Sequence, residues 1–247
     1  MKYLKELGVM AAAATEAGQE LLSQNVEVIE HKSKNDLLTK NDIETENRII
    51  AKIKSEFPNI NIVSEENNPN AKLEGLTVVI DPIDGTCNYA AGLDLYGVQM
   101  ALFDGDTCVA ALMYFPTSGD MYTAIKGEGA FKNGQRIRVN RSIAPESGIL
   151  LISDYYSNIE IPMDAQFNLV KSLQDKFLKT RHFGAACVDF AMMANSNAQM
   201  YITYYHKIWD IAPGLLIATE AGCSYSMVDG SDFEYGKPGL IVCAYEN

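Results

Sequence analysis

The sequence predicts an α/β protein in two halves, α+β and antiparallel in the first, alternating in the second, packed as layers. Three observations predict it. Between about residues 95 and 139, short apolar runs are separated by the turn signals DGD (104–106), PTSG (116–119), KGEG (126–129) and NG (133–134), the pattern of an antiparallel meander. Two helical patterns precede that meander. After about residue 141, strand-like runs alternate with helical stripes. The expected organisation is a single domain over 1–247, with halves of about 1–141 and 142–247.

In order along the chain, the first helix carries Leu4, Leu7, Ala11, Ala14, Gly18 and Leu21 on one side, with Glu6, Glu16 and Glu20 among them. VEVI follows, then a polar, basic loop, HKSKND (31–36). TKNDIETENRIIAKIKSEF reads as a second helix with Ile43, Ile50, Ile53 and Phe57 as its apolar stripe and Thr39 with Asp42 as a capping pair. INIVS is a short strand that ends at Glu65 and Glu66, and TVVI (77–80) is a buried strand. In the second half, GILLIS is a strand, and Phe167, Val170, Leu173 and Phe177 mark a helix. A further helix follows FGAA (183–186), then the strand QMYITYY, then a helix over 211–221. CSYSMV and LIVCAY are closing strands.

Composition excludes several functions. The formal charge is -12, and no run of Lys or Arg exists to track a phosphate backbone, so nucleic acid is not expected as a partner. No stretch is long enough to span a bilayer, so no membrane partner is expected. The uninterrupted apolar stretch near the N-terminus covers only 8–14, and the glutamates around it suit an amphipathic helix rather than a leader. Five scattered cysteines without a Cys-x-x-Cys fit reduced thiols, so the expected location is cytoplasmic. No P-loop, Gly-x-Gly-x-x-Gly or Gly-x-Ser-x-Gly is present.

The chemistry concentrates in TVVIDPIDGT (77–86). A buried strand that ends on Asp81 and Asp84 is costly unless a cation sits there. Pro82 stiffens the turn, and Gly85 with Thr86 stands where a helix can begin and offer backbone N–H groups to a phosphate oxygen. Hard carboxylate ligands on a tight turn suit Mg²⁺. Taken singly, each acidic site has a plain structural reading. Asp81 and Asp84 fit an Asp-Pro turn, Glu65 and Glu66 a solvated pair, and Asp210 in WDIAPG (209–214) an N-cap just before a helix. Their co-occurrence points to a metal site.

The motifs SEE (64–66), DPIDGTCNY (81–89), GEGAFKNG (127–134), FGAA (183–186) and WDIAPG, with DLLTKND (36–42) before them, resemble the inositol monophosphatase family of metal-dependent, lithium-sensitive phosphatases. The resemblance spans nearly the whole chain. It implies a layered α-β-α-β-α sandwich of the sugar-phosphatase type, usually a homodimer. It also implies Mg²⁺-dependent hydrolysis of a phosphate monoester, inositol monophosphate or a related sugar phosphate, by direct attack of a metal-activated water. Glu65, Asp81 and the carbonyl of Ile83 would hold one Mg²⁺, and Asp81, Asp84 and Asp210 a second. Gly85 and Thr86 would bind phosphate, Thr86 and Glu65 would orient the water, and Gly184 and Ala185 would line the substrate pocket. Asp42 and the HKSKND loop resemble the segment that supports a third metal. Four carboxylates and two Mg²⁺ balance in charge, so an acidic protein can accept an anionic substrate.

Departures bear on the substrate. Cys87 stands where the family usually has Thr or Ser, Tyr89 where Phe is common, and Pro213 where Ala is usual. Inositol-hydrolysing members often carry a Glu at the position of Thr203. The alternatives are therefore relatives acting on fructose 1,6-bisphosphate, 3′-phosphoadenosine 5′-phosphate, NADP or histidinol phosphate, and, more remotely, a non-catalytic binding or regulatory protein on the same scaffold. The three histidines, His31, His182 and His206, form no metal-binding spacing and read as surface or loop residues.

Overall fold

The computed structural model describes residues 2–33, 36–204 and 207–245. Lys34 and Asn35 of the basic loop, and His206, lie outside the described residues. Helix α1 (Leu4–Leu21) leads to an antiparallel hairpin of β1 (Val28–Ser33) and β2 (Asp36–Thr39), and then to α2 (Lys40–Glu56). Strands β3 (Asn61–Ser64) and β4 (Leu76–Asp84) pair in parallel, and the short helix α3 (Thr86–Ala90) follows directly. The meander is β5 (Gly97–Asp104), β6 (Thr107–Phe115), β7 (Asp120–Ile125), β8 (Gly129–Lys132) and β9 (Gln135–Ile137). Together these form a seven-stranded sheet in chain order, β3 to β9.

The second half contains β10 (Ile149–Ile152), α4 (Met163–Gln174), β11 (Lys179–Arg181), α5 (Ala186–Ala194), β12 (Met200–Thr203), α6 (Ile208–Ala221), β13 (Ser224–Met227) and β14 (Leu240–Cys243). Its sheet has the order β11-β10-β12-β14-β13, parallel among the first three strands and antiparallel thereafter.

Strand alternation builds the layers. On β4, Val78 and Ile80 pack with Met10 of α1 and Ile49 and Ile53 of α2, whereas Val79, with Ala101 and Phe103, packs against Trp209 and Ala212 of α6. On β12, Tyr201 joins Phe190 of α5 and Ile211 and Ile217 of α6, whereas Ile202 joins Val170 of α4. The order is therefore α1/α2, first sheet, α5/α6, second sheet, α4: a five-layer α-β-α-β-α sandwich, as the sequence resemblance implies. Asp81 shares the parity of Val79 on β4, which turns it toward α6.

Several local expectations are corrected. The HKSKND segment is not wholly a loop, since β1 reaches Ser33 and β2 starts at Asp36. The buried face of α2 is Asn41, Asp42, Thr45, Glu46, Ile49 and Ile53, with Ile43, Ile50 and Phe57 only half-buried; the helix turns a polar flank inward because that flank supports the site. Leu4 on α1 and Phe167 on α4 are exposed, and Phe177 lies past the end of α4, whose buried residues are Gln166 and Val170. Helix α6 starts three residues earlier than expected, so Asp210 is its third residue rather than its N-cap, and Pro213 lies inside the helix. The Lys207 N–H donates to Asp210 Oδ2 at 2.9 Å, so Asp210 satisfies the amide of the N-cap residue from inside the helix.

Candidate active site

The site begins at the end of β4. The pairing of β4 with β5 runs regularly to Asp81 opposite Gln99, then skips to Asp84 opposite Gly97. This irregularity lets both aspartates leave the ladder on the same side. Asp81 is 1% exposed and Asp84 8%. Asp210 approaches from α6, and one carboxylate oxygen from each of Asp81, Asp84 and Asp210 lies within 4.8 Å of the others. Asp81 Oδ1 is buried with no hydrogen-bond partner, while the Gln99 amide donates to Oδ2 at 3.3 Å.

Such an arrangement is electrostatically unfavourable without a cation. Burial pushes the Asp81 carboxyl well above the usual carboxylate range, and the negative charges of Glu65, Asp84 and Asp210 push it the same way. Burial also raises Asp84, opposed by hydrogen bonds from Cys187 and Ala186. The Ala186 N–H donates to Asp84 Oδ1 at 3.2 Å and the Cys187 N–H to Oδ2 at 2.5 Å, so the first turn of α5 holds this carboxylate. An orphaned carboxylate oxygen in a set of hard oxygen donors fits a divalent cation such as Mg²⁺.

Glu65 follows β3, and its N–H donates to the Ile80 carbonyl at 3.3 Å. It is half-buried and close enough to act on the Asp81 carboxyl. What positions it was missed from sequence. Glu46 of α2, fully buried, accepts from Ser64 Oγ at 2.7 Å and from the N–H groups of Glu66 and Asn67, both at 2.8 Å. A glutamate among Thr45, Ile49 and Ile53 reads as a solvated helix residue unless the helix face is known. Gln99 was missed for a related reason: only the strand register sets it opposite Asp81.

The Thr86 hydroxyl donates between the Ile83 carbonyl, 2.9 Å away, and Asp42 Oδ1, 3.1 Å away. Asp42 is also the capping residue expected of it, since its Oδ2 accepts from the Thr39 N–H at 2.8 Å and from the Thr39 hydroxyl at 2.5 Å. One carboxylate thus caps α2 and ties that cap to Thr86. Gly85 has φ +89°, and a Cβ there would lie 2.8 Å from the Ala185 Cβ, which brings the 83–86 turn against the FGAA segment. Asn88 fastens the two by donating to the Leu95 and Phe183 carbonyls, each at 2.8 Å. Gly184 is exposed and Ala185 buried; both line a cavity of about 140 Å³ whose walls include Asp84 and Asp210. Cys87 is exposed, and His182 is exposed on the surface as expected.

A five-layer sandwich with clustered aspartates between its sheets defines a phosphatase-type fold. It superimposes on an IMPase of Thermotoga maritima with a TM-score of 0.86 and 25% identity, covering 98% of this chain and 92% of that one. The profile of the inositol monophosphatase family matches residues 4–247, and the chain belongs to that family. Among curated relatives, a fructose-1,6-bisphosphatase/inositol-1-monophosphatase of Aquifex aeolicus is 32% identical over 235 residues, covering 92% of this chain and 88% of the relative. A protein of Neisseria meningitidis serogroup B named a putative Nus factor SuhB is also 32% identical, over 238 residues, covering 94% of this chain and 90% of the relative.

Proposed function

We propose that this protein is a Mg²⁺-dependent phosphate monoester hydrolase acting on inositol monophosphate or a related sugar phosphate. The observation that carries the reading is the convergence of Asp81, Asp84 and Asp210 with one buried Asp81 oxygen left unpaired. Glu65, Asp81 and the Ile83 carbonyl would hold one ion, and Asp81, Asp84 and Asp210 a second; Asp42 stands one hydrogen bond from Thr86, beside any third. When bound, these ions supply Lewis acidity and a water of lowered pKa.

The residues of the chain do the positioning. Thr86, whose hydroxyl proton is committed to Ile83 and Asp42, keeps lone pairs to accept from the attacking water and, with Glu65, aims it at phosphorus. The N–H groups of Gly85 and Thr86 meet the phosphate oxygens, and the left-handed Gly85 lets the backbone come close. Asp84 is fixed by α5, so its orientation does not have to be found during the reaction. Gly184 and Ala185 border the alcohol side of the substrate. Because ligands come from both halves, the two sheets would act as one functional unit over 1–247; the family resemblance supports a homodimer, and the scattered cysteines a cytoplasmic location.

The relative named as a Nus factor favours a second reading, a regulatory protein on the same scaffold. A protein freed from catalysis has no reason to keep four carboxylates at an unfavourable site, so the phosphatase reading leads. The test is a panel of phosphate esters with Mg²⁺. Turnover should vanish in excess EDTA, return with added Mg²⁺, and be inhibited by lithium. Full turnover in excess EDTA, or none with any ester and metal, would overturn it.

A further inference from the structure

The cavity beside the carboxylate cluster has a second side that the metal reading does not use. Besides Asp84 and Asp210 it is lined by Asp154, Asp189, Tyr201 and Thr203, among others. Asp189 lies in the first turns of α5, three residues beyond Ala186, whose N–H holds Asp84. It is 1% exposed, and its Oδ1 is buried with no hydrogen-bond partner. Tyr201 lies close enough to act on the Asp189 carboxyl, with Thr203 beside it. Tyr201 and Thr203 are two apart on β12, so both project to the α5 side of the second sheet.

An unpaired buried carboxylate oxygen costs about 1–3 kcal/mol and calls for an explanation. Folding alone does not supply one, because Tyr201 could satisfy a neutral side chain at this position equally well. Asp189 instead lines a cavity beside the carboxylate cluster, with this oxygen buried at its wall. At about 140 Å³ that cavity has room for a small polar group beside the carboxylates. No Lys, Arg or His is among the described residues that line it, whereas Asp154 and Asp189 both do. A second phosphate there would face carboxylates. Thr203, where related enzymes often place a glutamate, brings no charge to the cavity, and the neighbouring helix presents a carboxylate.

We propose that Asp189, beside Tyr201, is the residue that selects the alcohol part of the substrate, its unpaired Oδ1 accepting a hydrogen bond from a hydroxyl of a small polyol monophosphate. The assignment rests on the phosphatase reading and narrows it. A hydroxyl-rich monoester is favoured, and a bisphosphate, whose second phosphate would face Asp154 and Asp189, is not.

The test compares wild type, Asp189→Ala and Tyr201→Phe on inositol 1-phosphate and on p-nitrophenyl phosphate, whose leaving group carries no such hydroxyl. Losing a buried polar contact should lower the inositol-to-nitrophenyl ratio of kcat/KM roughly tenfold or more in Asp189→Ala, chiefly through KM. Tyr201→Phe should shift the ratio the same way by less. If Asp189→Ala does not fold, Tyr201→Phe carries the test alone. A ratio unchanged in the folded variants means that Asp189 is structural, its oxygen served by water, and overturns the proposal. Wild type turning over fructose 1,6-bisphosphate more efficiently than inositol 1-phosphate also overturns it. A wild-type chain inactive on every ester with Mg²⁺ instead overturns the phosphatase reading, and this assignment with it.

Discussion

Asp81 has two roles that pull in opposite directions. Its burial and its three acidic neighbours make it a liability to the fold without a cation and would make it a strong ligand to one. Asp81→Asn keeps the shape and removes the charge. Activity should fall at least a hundredfold, on the order of 3 kcal/mol in the barrier, because a carboxylate proposed to hold both ions would be lost. In EDTA the variant should melt higher than wild type at neutral pH. The direction with pH follows from linkage. The folded carboxyl is raised above its unfolded value of about 3.9, so its stabilising contribution is complete below that value and is lost as pH climbs through the raised one. The metal-free melting gap between Asn and wild type should therefore widen from pH 4 upward. A gap independent of pH would show that Asp81 is not the strained member of the cluster.

Among the elements, α5 and α6 do most to assemble the site. Helix α5 holds Asp84 and carries Asp189; α6 carries Asp210. They approach closely because Gly214 has no side chain: a Cβ there would lie 2.2 Å from the Phe190 ring, and Phe190 is fully buried. In an isolated helix Gly→Ala is favourable by about 1 kcal/mol. At this crossing the clash outweighs it, since the ring has nowhere to swing and overpacking costs roughly 1–3 kcal/mol or more. Gly214→Ala should lower the melting temperature and also reduce activity, because moving α5 moves the two amides on Asp84. A variant that melts higher with full activity would mean the helices can separate without disturbing the site.

At the scale of the whole molecule, the cation would join layers that otherwise meet by packing and by hydrogen bonds such as those from Ala186 and Cys187 to Asp84. Asp81 and Asp84 belong to the first sheet, Asp210 to the helical layer behind it. An ion bound only by the native fold stabilises it by roughly 2.7 kcal/mol at a hundred times its Kd. For a chain of this size that is an upward shift of about 5–10 °C. Mg²⁺ should raise the midpoint of wild type by that order and raise Asp210→Asn much less. Asn at this position still offers an oxygen to the Lys207 N–H, so the helix start is retained and the comparison isolates the charge. Equal shifts in the two proteins would leave Asp210 as a helix-start residue only.

The layered α/β class, most strands and the carboxylate set were legible in the sequence, because each rests on local signals. Two-residue alternation marks a strand, turn residues mark the meander, and TVVIDPIDGT places charges where a strand must end. The supporting residues were not legible. Glu46 resembles any helical glutamate until α2 turns that face inward, and Gln99 resembles any strand residue until the register sets it against Asp81. The start of α6 was misjudged because aspartate serves an N-cap and a third helical position equally well. Asp189 gave no signal, since its environment is made by a strand that arrives later in the chain. Local sequence determined which groups are costly to bury; only the tertiary structure decided which of them share a cavity, because that depends on which faces of distant elements meet.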